Sequence, residues 1–185
     1  IGDGNVILPY TVILGPTTIG DRNWIGPHVS IGTPGEWSSM SGADMATHGA
    51  WTGVHIGDEN VIREYTTVQQ GDGRATSVAS RCYLMARTHV PHDCLLADRV
   101  VLSTASQVGG CSIVGEGANI GLGAVLHQFS VVGAWAMIGM QSAVTKPVPP
   151  GALVMGVPAR VQRANTVGME RAGLEIQGRN AVVVG

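Results

Sequence analysis

The sequence predicts an all-β fold, a left-handed parallel β-helix built from six-residue repeats, and three observations carry that prediction. The first is a strict period. Branched aliphatic residues stand at Ile1, Ile7, Ile13, Ile19, Ile25 and Ile31, then at Ile56, Ile62 and Val68. They return at Val78, Leu84, Val90, Leu96, Leu102, Val108, Val114, Ile120, Leu126, Val132, Ile138 and Val144. These runs hold 6, 3 and 12 positions, and every one is Ile, Leu or Val. The second is the glycine that often follows, as in Ile19-Gly20, Ile25-Gly26, Ile120-Gly121 and Ile138-Gly139. The third is composition: 27 glycines but one phenylalanine, four tryptophans and three tyrosines among 185 residues.

A period of six fits neither an amphipathic helix, which needs 3.6, nor an ordinary strand, which needs 2. It fits a solenoid in which each hexad is a short strand plus a turn and three hexads make one triangular coil. The aliphatic residue points inward, and the small residue after it is expected to let the chain turn the corner. Coils then stack as parallel strands about 4.8 Å apart. About seven coils are expected, around a narrow core that has no room for aromatic bulk.

Residues 1–150 are expected to form the β-helix. Its register breaks at 32–55, an insertion rich in Gly, Ser and Trp around Trp37, Asp44, His48 and Trp51, and again at 71–77. A long loop leaving a regular scaffold points to substrate contact. Residues 151–185 are a C-terminal extension, with a short helix expected over 163–176 and a poorly ordered tail over 177–185.

Composition excludes several function classes. The net charge is −2 with no basic run, which argues against a nucleic-acid partner. No apolar run reaches the ~18 residues of a membrane span. Cys82, Cys94 and Cys111 are odd in number and lack a CxxC spacing, so neither a disulfide framework nor a zinc ribbon is expected. A reducing cytoplasm suits them. No signal peptide is visible, although the sequence opens within a repeat at Ile1 without a methionine.

The register also places side chains. From Val78 onward, equivalent positions lie 18 residues apart, so His92, Gly110 and Gln128 stack on one edge. Asp93 and Cys111 stack beside them, as do Pro91, Gly109 and His127, while Gln107 lies over His89. Gln69 and Gln70 continue this edge below. Six polar residues unusual for a hexad thus gather within roughly 10 Å: His89, His92, Asp93, Cys111, His127 and Gln128.

His92 is the candidate general base, with Asp93 placed to orient or charge-stabilise its imidazole. Gly110, one coil above, offers a backbone N–H to a carbonyl oxygen. A base beside an oxyanion donor is the arrangement acyl transfer needs. Cys111 is an alternative nucleophile. A metal site built from His89, His92 and His127, as in the β-helical γ-class carbonic anhydrases, is a second class of reading. It wants a closely spaced histidine pair late in the repeat, which this sequence lacks, so no metal and no other cofactor is expected. A structural or ice-binding β-helix would show a flat Thr-rich face, and none is found.

Two stretches carry a family resemblance: Thr88-His89-Val90-Pro91-His92-Asp93-Cys94 and Gly123-Ala124-Val125-Leu126-His127-Gln128-Phe129. Both resemble signatures of the UDP-N-acetylglucosamine O-acyltransferases of lipid A biosynthesis. The similarity runs to about Leu174 and includes Gly156-Val157-Pro158-Ala159. It implies transfer of an acyl, in particular a 3-hydroxyacyl, group from acyl carrier protein to a hydroxyl of a UDP-amino sugar, in a homotrimer. It agrees with His92 as base and Gly110 as oxyanion donor, and puts His89, Cys111, His127 and Gln128 around the substrate or phosphopantetheine. It alone implies that Asn165 and Arg171 contact the nucleotide and that Met140 limits acyl chain length.

The sequence departs from the family in places. Cys111 stands where the family has histidine, Val167 replaces a nucleotide-contacting acid and Ala172 the second of two arginines. The insertion at 32–55 is longer than usual and has no lysine, and the sequence stops short of the family's helical C-terminal domain. These departures leave room for another amino sugar or a natural-product intermediate as acceptor, for N-acylation, and for coenzyme A as donor.

Overall fold

A computed structural model describes residues 1–36, 39–47 and 51–174. Trp37, His48 and the tail 177–185 lie outside the described residues. The chain is a left-handed parallel β-helix with three faces. The first face is a nine-stranded sheet that runs from Val6–Ile7 through Trp24–Ile25, Val61–Ile62, Tyr83–Leu84, Val101–Leu102, Asn119–Ile120 and Met137–Ile138 to Ala152–Gly156 and Ala159–Ala164. The second joins Val12–Ile13, Ser30–Thr33, Thr67–Gln69 and His89–Val90 to Val125–Leu126 and Ala143–Val144, with Gln107 bridging between His89 and Val125. The third stacks Thr17–Ile19, Val54–Ile56, Thr76–Val78, Leu95–Leu96, Ile113–Val114 and Val131–Val132.

The register holds the 18-residue spacing: Leu84 pairs with Leu102, Leu102 with Ile120, Leu96 with Val114 and Val114 with Val132. From Ile19 to Val144 each inward aliphatic of the repeat is buried, Ile25, Ile62, Leu84 and Ile120 completely. The first coil differs: Ile1 is 71% and Ile7 39% exposed, with no coil among the described residues stacked beneath it.

Corners are turned differently from the sequence expectation. At most corners a left-handed residue lies three positions past the inward aliphatic and is mostly not glycine; after Val90, Val108 and Leu126 it is Asp93, Cys111 and Phe129, at φ 60°, 60° and 61°. The glycine just after the aliphatic serves close stacking instead. A Cβ at Gly121 would meet the Ile138 carbonyl oxygen at 2.5 Å.

Both breaks in register are short excursions. The first leaves after Ser30–Thr33, carries helix α1 (Gly42–Thr47) and rejoins at Val54–Ile56, narrower than the 32–55 read from sequence. The second lies between Thr67–Gln69 and Thr76–Val78. After the coils, Ala152–Gly156 pairs antiparallel with Ala159–Ala164, and helix α2 spans Thr166–Arg171. The expected helix over 163–176 is therefore shorter at both ends, because Arg163 and Ala164 pair in the hairpin. No helix among the described residues is long and apolar enough to cross a membrane.

Candidate active site

The edge between the second and third faces carries the polar cluster. Its left-handed residues recur once per coil, which brings His92, Gly110 and Gln128 into one column. Ladder bonds fix the column: Cys111 N–H donates to His92 O at 3.0 Å and Phe129 N–H to Gly110 O at 2.8 Å. A Cβ at Gly110 would lie 2.6 Å from His92 Nε2. Glycine is required here by the imbricated imidazole, not by backbone conformation.

His92 is 9% exposed, and its Nδ1 lies 2.8 Å from Asp93 Oδ2. Asp93 is held in turn by the second insertion. Arg74 N–H donates to Oδ1 at 2.7 Å, Asp72 N–H to Oδ2 at 3.3 Å, and Arg74 Nε to the Asp93 carbonyl at 2.8 Å. Burial pushes the Asp93 carboxyl up, but the Arg74 amide, His92 and the Asp72 amide outweigh it and hold the group below its ordinary 3.8. An ionised carboxylate keeps the imidazole proton on Nδ1 and leaves the lone pair on Nε2, the nitrogen that faces Gly110.

His89 is half-buried on the second face, with Nδ1 2.6 Å from Thr67 Oγ1. Burial lowers its pKa, opposed by Glu36 and helped by His92, which favours the neutral imidazole. His127 and Gln128 are exposed one coil above Gly110, and His127 Nδ1 donates to the Gln128 carbonyl at 3.0 Å. The Cys111 thiol is pushed up by burial and by Asp93, against Arg74, which makes it a poor nucleophile at neutral pH. His89, His92 and His127 do not form a group of potential metal donors among the described residues. Among the described residues, the potential donor group is His92, Asp93 and Cys111, whose donor atoms lie within 4.8 Å of one another. Beside it opens a 580 Å³ cavity lined by Asp93, Cys111, Arg74, Ile113 and Phe129.

The other candidates lie elsewhere on the same chain. Asn165 caps α2, accepting from Gly168 N–H at 3.3 Å and donating from Nδ2 to Trp135 O at 2.8 Å. Asn165, Arg171 and Val167 line a 490 Å³ cavity on the first face, floored by Asn119 and Met137 beside Trp135. Met140 is 66% exposed, on the edge between the first and second faces. One chain thus separates His92, Met140 and the Asn165–Arg171 pair onto two edges and a face.

Sequence reasoning missed Arg74, Asp72 and Thr67 as supports of the histidines, and Trp135 beside Asn165. The only signal for Arg74 and Asp72 was the break in register they occupy. Phe129 appeared within a signature but without a role.

The coils are those of the hexapeptide-repeat class of bacterial transferases, whose six-repeat family model matches residues 1–33. The chain is 34% identical to the acyl-carrier-protein UDP-N-acetylglucosamine O-acyltransferase of Synechocystis sp., over 92% of this chain and 60% of that protein. It is 38% identical to the same-named protein of Syntrophobacter fumaroxidans, over 92% and 65%. The crystal structure of a UDP-N-acetylglucosamine acyltransferase from Bacteroides fragilis superposes with a TM-score of 0.87 at 30% identity, covering 95% of this chain and 67% of that one. The chain belongs to the UDP-N-acetylglucosamine acyltransferase family. It spans roughly three-fifths of the length of the curated relatives it matches.

Proposed function

We propose that this protein moves an acyl group, in particular a 3-hydroxyacyl group, from acyl carrier protein to a hydroxyl of a UDP-amino sugar such as UDP-N-acetylglucosamine. The observation that carries the reading is the His92–Asp93 pair, 2.8 Å apart, directly beneath Gly110. His92 Nε2 takes the proton of the sugar hydroxyl as its oxygen attacks the thioester carbonyl. Asp93 stabilises the imidazolium that forms. The Gly110 N–H receives the charge that develops on the carbonyl oxygen. The imidazolium then returns its proton to the leaving thiolate, and no metal takes part.

His89, His127, Gln128 and Cys111 line the approach of the acyl donor, while Asn165 and Arg171 hold the nucleotide. Cys111 of the first group and the Asn165–Arg171 pair line separate cavities, one at an edge and one on the first face of the prism. The reading therefore includes a homotrimer, with each site assembled from two copies. The buried, unpaired Cys82 and Cys94 suit a reducing cytoplasm.

A second reading keeps the chemistry and changes the acceptor. Val167 lines the Asn165–Arg171 cavity where an acid would pair with a polar substrate group, which favours a different amino sugar. Incubation with acyl-carrier-protein and coenzyme A thioesters plus a panel of UDP-sugars, read by product mass, separates the two. O-acylated UDP-N-acetylglucosamine supports the first reading; product from another sugar alone supports the second; no acyl product from any pair overturns both.

A further inference from the structure

The geometry points to a binding site for a thiophilic divalent cation such as Zn²⁺ at His92, Asp93 and Cys111, where the ion would switch the base off. The donor set has one imidazole nitrogen, one carboxylate and one thiol, a combination that selects zinc-type ions over Mg²⁺ or Ca²⁺. The three donor atoms already lie within 4.8 Å of one another. Tetrahedral zinc with ligand bonds of about 2.0–2.3 Å would draw the widest-spaced donors of the group closer and part His92 Nδ1 and Asp93 Oδ2 slightly from their 2.8 Å.

The ring nitrogen that faces the carboxylate is Nδ1, 2.8 Å from Asp93 Oδ2, so Nδ1 is the coordinating nitrogen. The 580 Å³ cavity against Asp93 and Cys111 supplies an entry path and room for water as a fourth ligand. The second insertion fixes Asp93 from the other side through the Arg74 and Asp72 amides. Cys111 is half-buried, and no disulfide engages it.

Binding forms a sulfur–metal bond as the S–H bond breaks, and that proton passes to the buffer. It also replaces the hydrogen bond between Nδ1 and Asp93, and the Nδ1 proton moves to Nε2, so the bound imidazole stays neutral. Affinity therefore falls as pH falls. With the metal on Nδ1 and the proton on Nε2, Nε2 has no lone pair to accept a proton and Asp93 no longer backs the imidazolium, so the base is disabled. Only this consequence for turnover rests on the proposed function; the binding does not.

Titrating the full chain with Zn²⁺ against a chromophoric chelator, without substrate, tests the site. The expected result is one ion per chain, with Co²⁺ giving a thiolate-to-cobalt charge-transfer band. Cys111→Ser should remove the band and weaken binding about 10²-fold, and Cys111→His should restore binding without the band. Absence of the wild-type band, or equal Zn²⁺ affinity in Cys111→Ser, overturns the proposal whatever the variants' fold. In the acyl-transfer assay, one equivalent of Zn²⁺ should inhibit and chelation should restore turnover. Stoichiometric binding with unchanged turnover would overturn the switch alone.

Discussion

Gly110 and His92 occupy adjoining coils so closely that a single methyl group cannot be placed between them: a Cβ at 110 would stand 2.6 Å from His92 Nε2. The imidazole cannot swing away freely, because its other nitrogen is tied to Asp93. Gly110→Ala should therefore displace the base rather than unfold the coil. Turnover is expected to fall about 10²-fold, the range of a misplaced catalytic group, with the circular dichroism spectrum unchanged. Near-normal kcat in a folded Gly110→Ala would contradict the close approach.

Asp93 links the site to acid stability. Its folded-state pKa is held below the ordinary 3.8, so the carboxylate contributes stability above 3.8 and loses it as pH falls through the depressed value. Asp93→Asn should be less stable than wild type at neutral pH, and the difference should shrink on acidification below 3.8. Urea midpoints measured across that range check this; a difference that widens toward acid has the wrong sign.

Cys111 should form no acyl-enzyme. Its thiol is shifted upward by burial and by Asp93, the opposite of an activated nucleophile. Intact mass measured after mixing the protein with acyl donor, in the absence of acceptor, should show no acyl adduct. An adduct mapped to Cys111 would replace the direct-transfer account with a two-step one.

The long-range order of the fold was legible in the sequence because its period is strict. Ile25, Ile62, Leu84 and Ile120 could be placed inward, and Gly110 over His92, by counting alone. What escaped lay wherever the count breaks or another element intervenes. Arg74 and Asp72 sit in an excursion outside the register, so nothing in the spacing brings their amides to Asp93. Arg163 and Ala164 belong to a strand because pairing with Leu153 and Ala152 overrides their helical preference. The corners carry Cys111 and Phe129 at positive φ, although propensity alone would reserve such positions for glycine, asparagine or aspartate.

Met140 offers a test of acyl-chain selection. It is 66% exposed on the edge between the first and second faces. In the proposed trimer its thioether closes the groove along which the acyl chain lies. A methylene buried in that groove contributes about 0.8 kcal/mol, enough to change selectivity several-fold. Wild type should prefer short or medium acyl donors, and Met140→Gly should shift the preference to longer ones. Identical rank orders of kcat/KM across a graded donor series would remove Met140 from this role.

The most direct test of the account is single-turnover acyl transfer by His92→Ala, with folding checked by circular dichroism. With His92 as general base, the rate should fall about 10²–10⁴-fold, and the spectrum should match wild type. A folded His92→Ala that transfers acyl groups at close to the wild-type rate would contradict it.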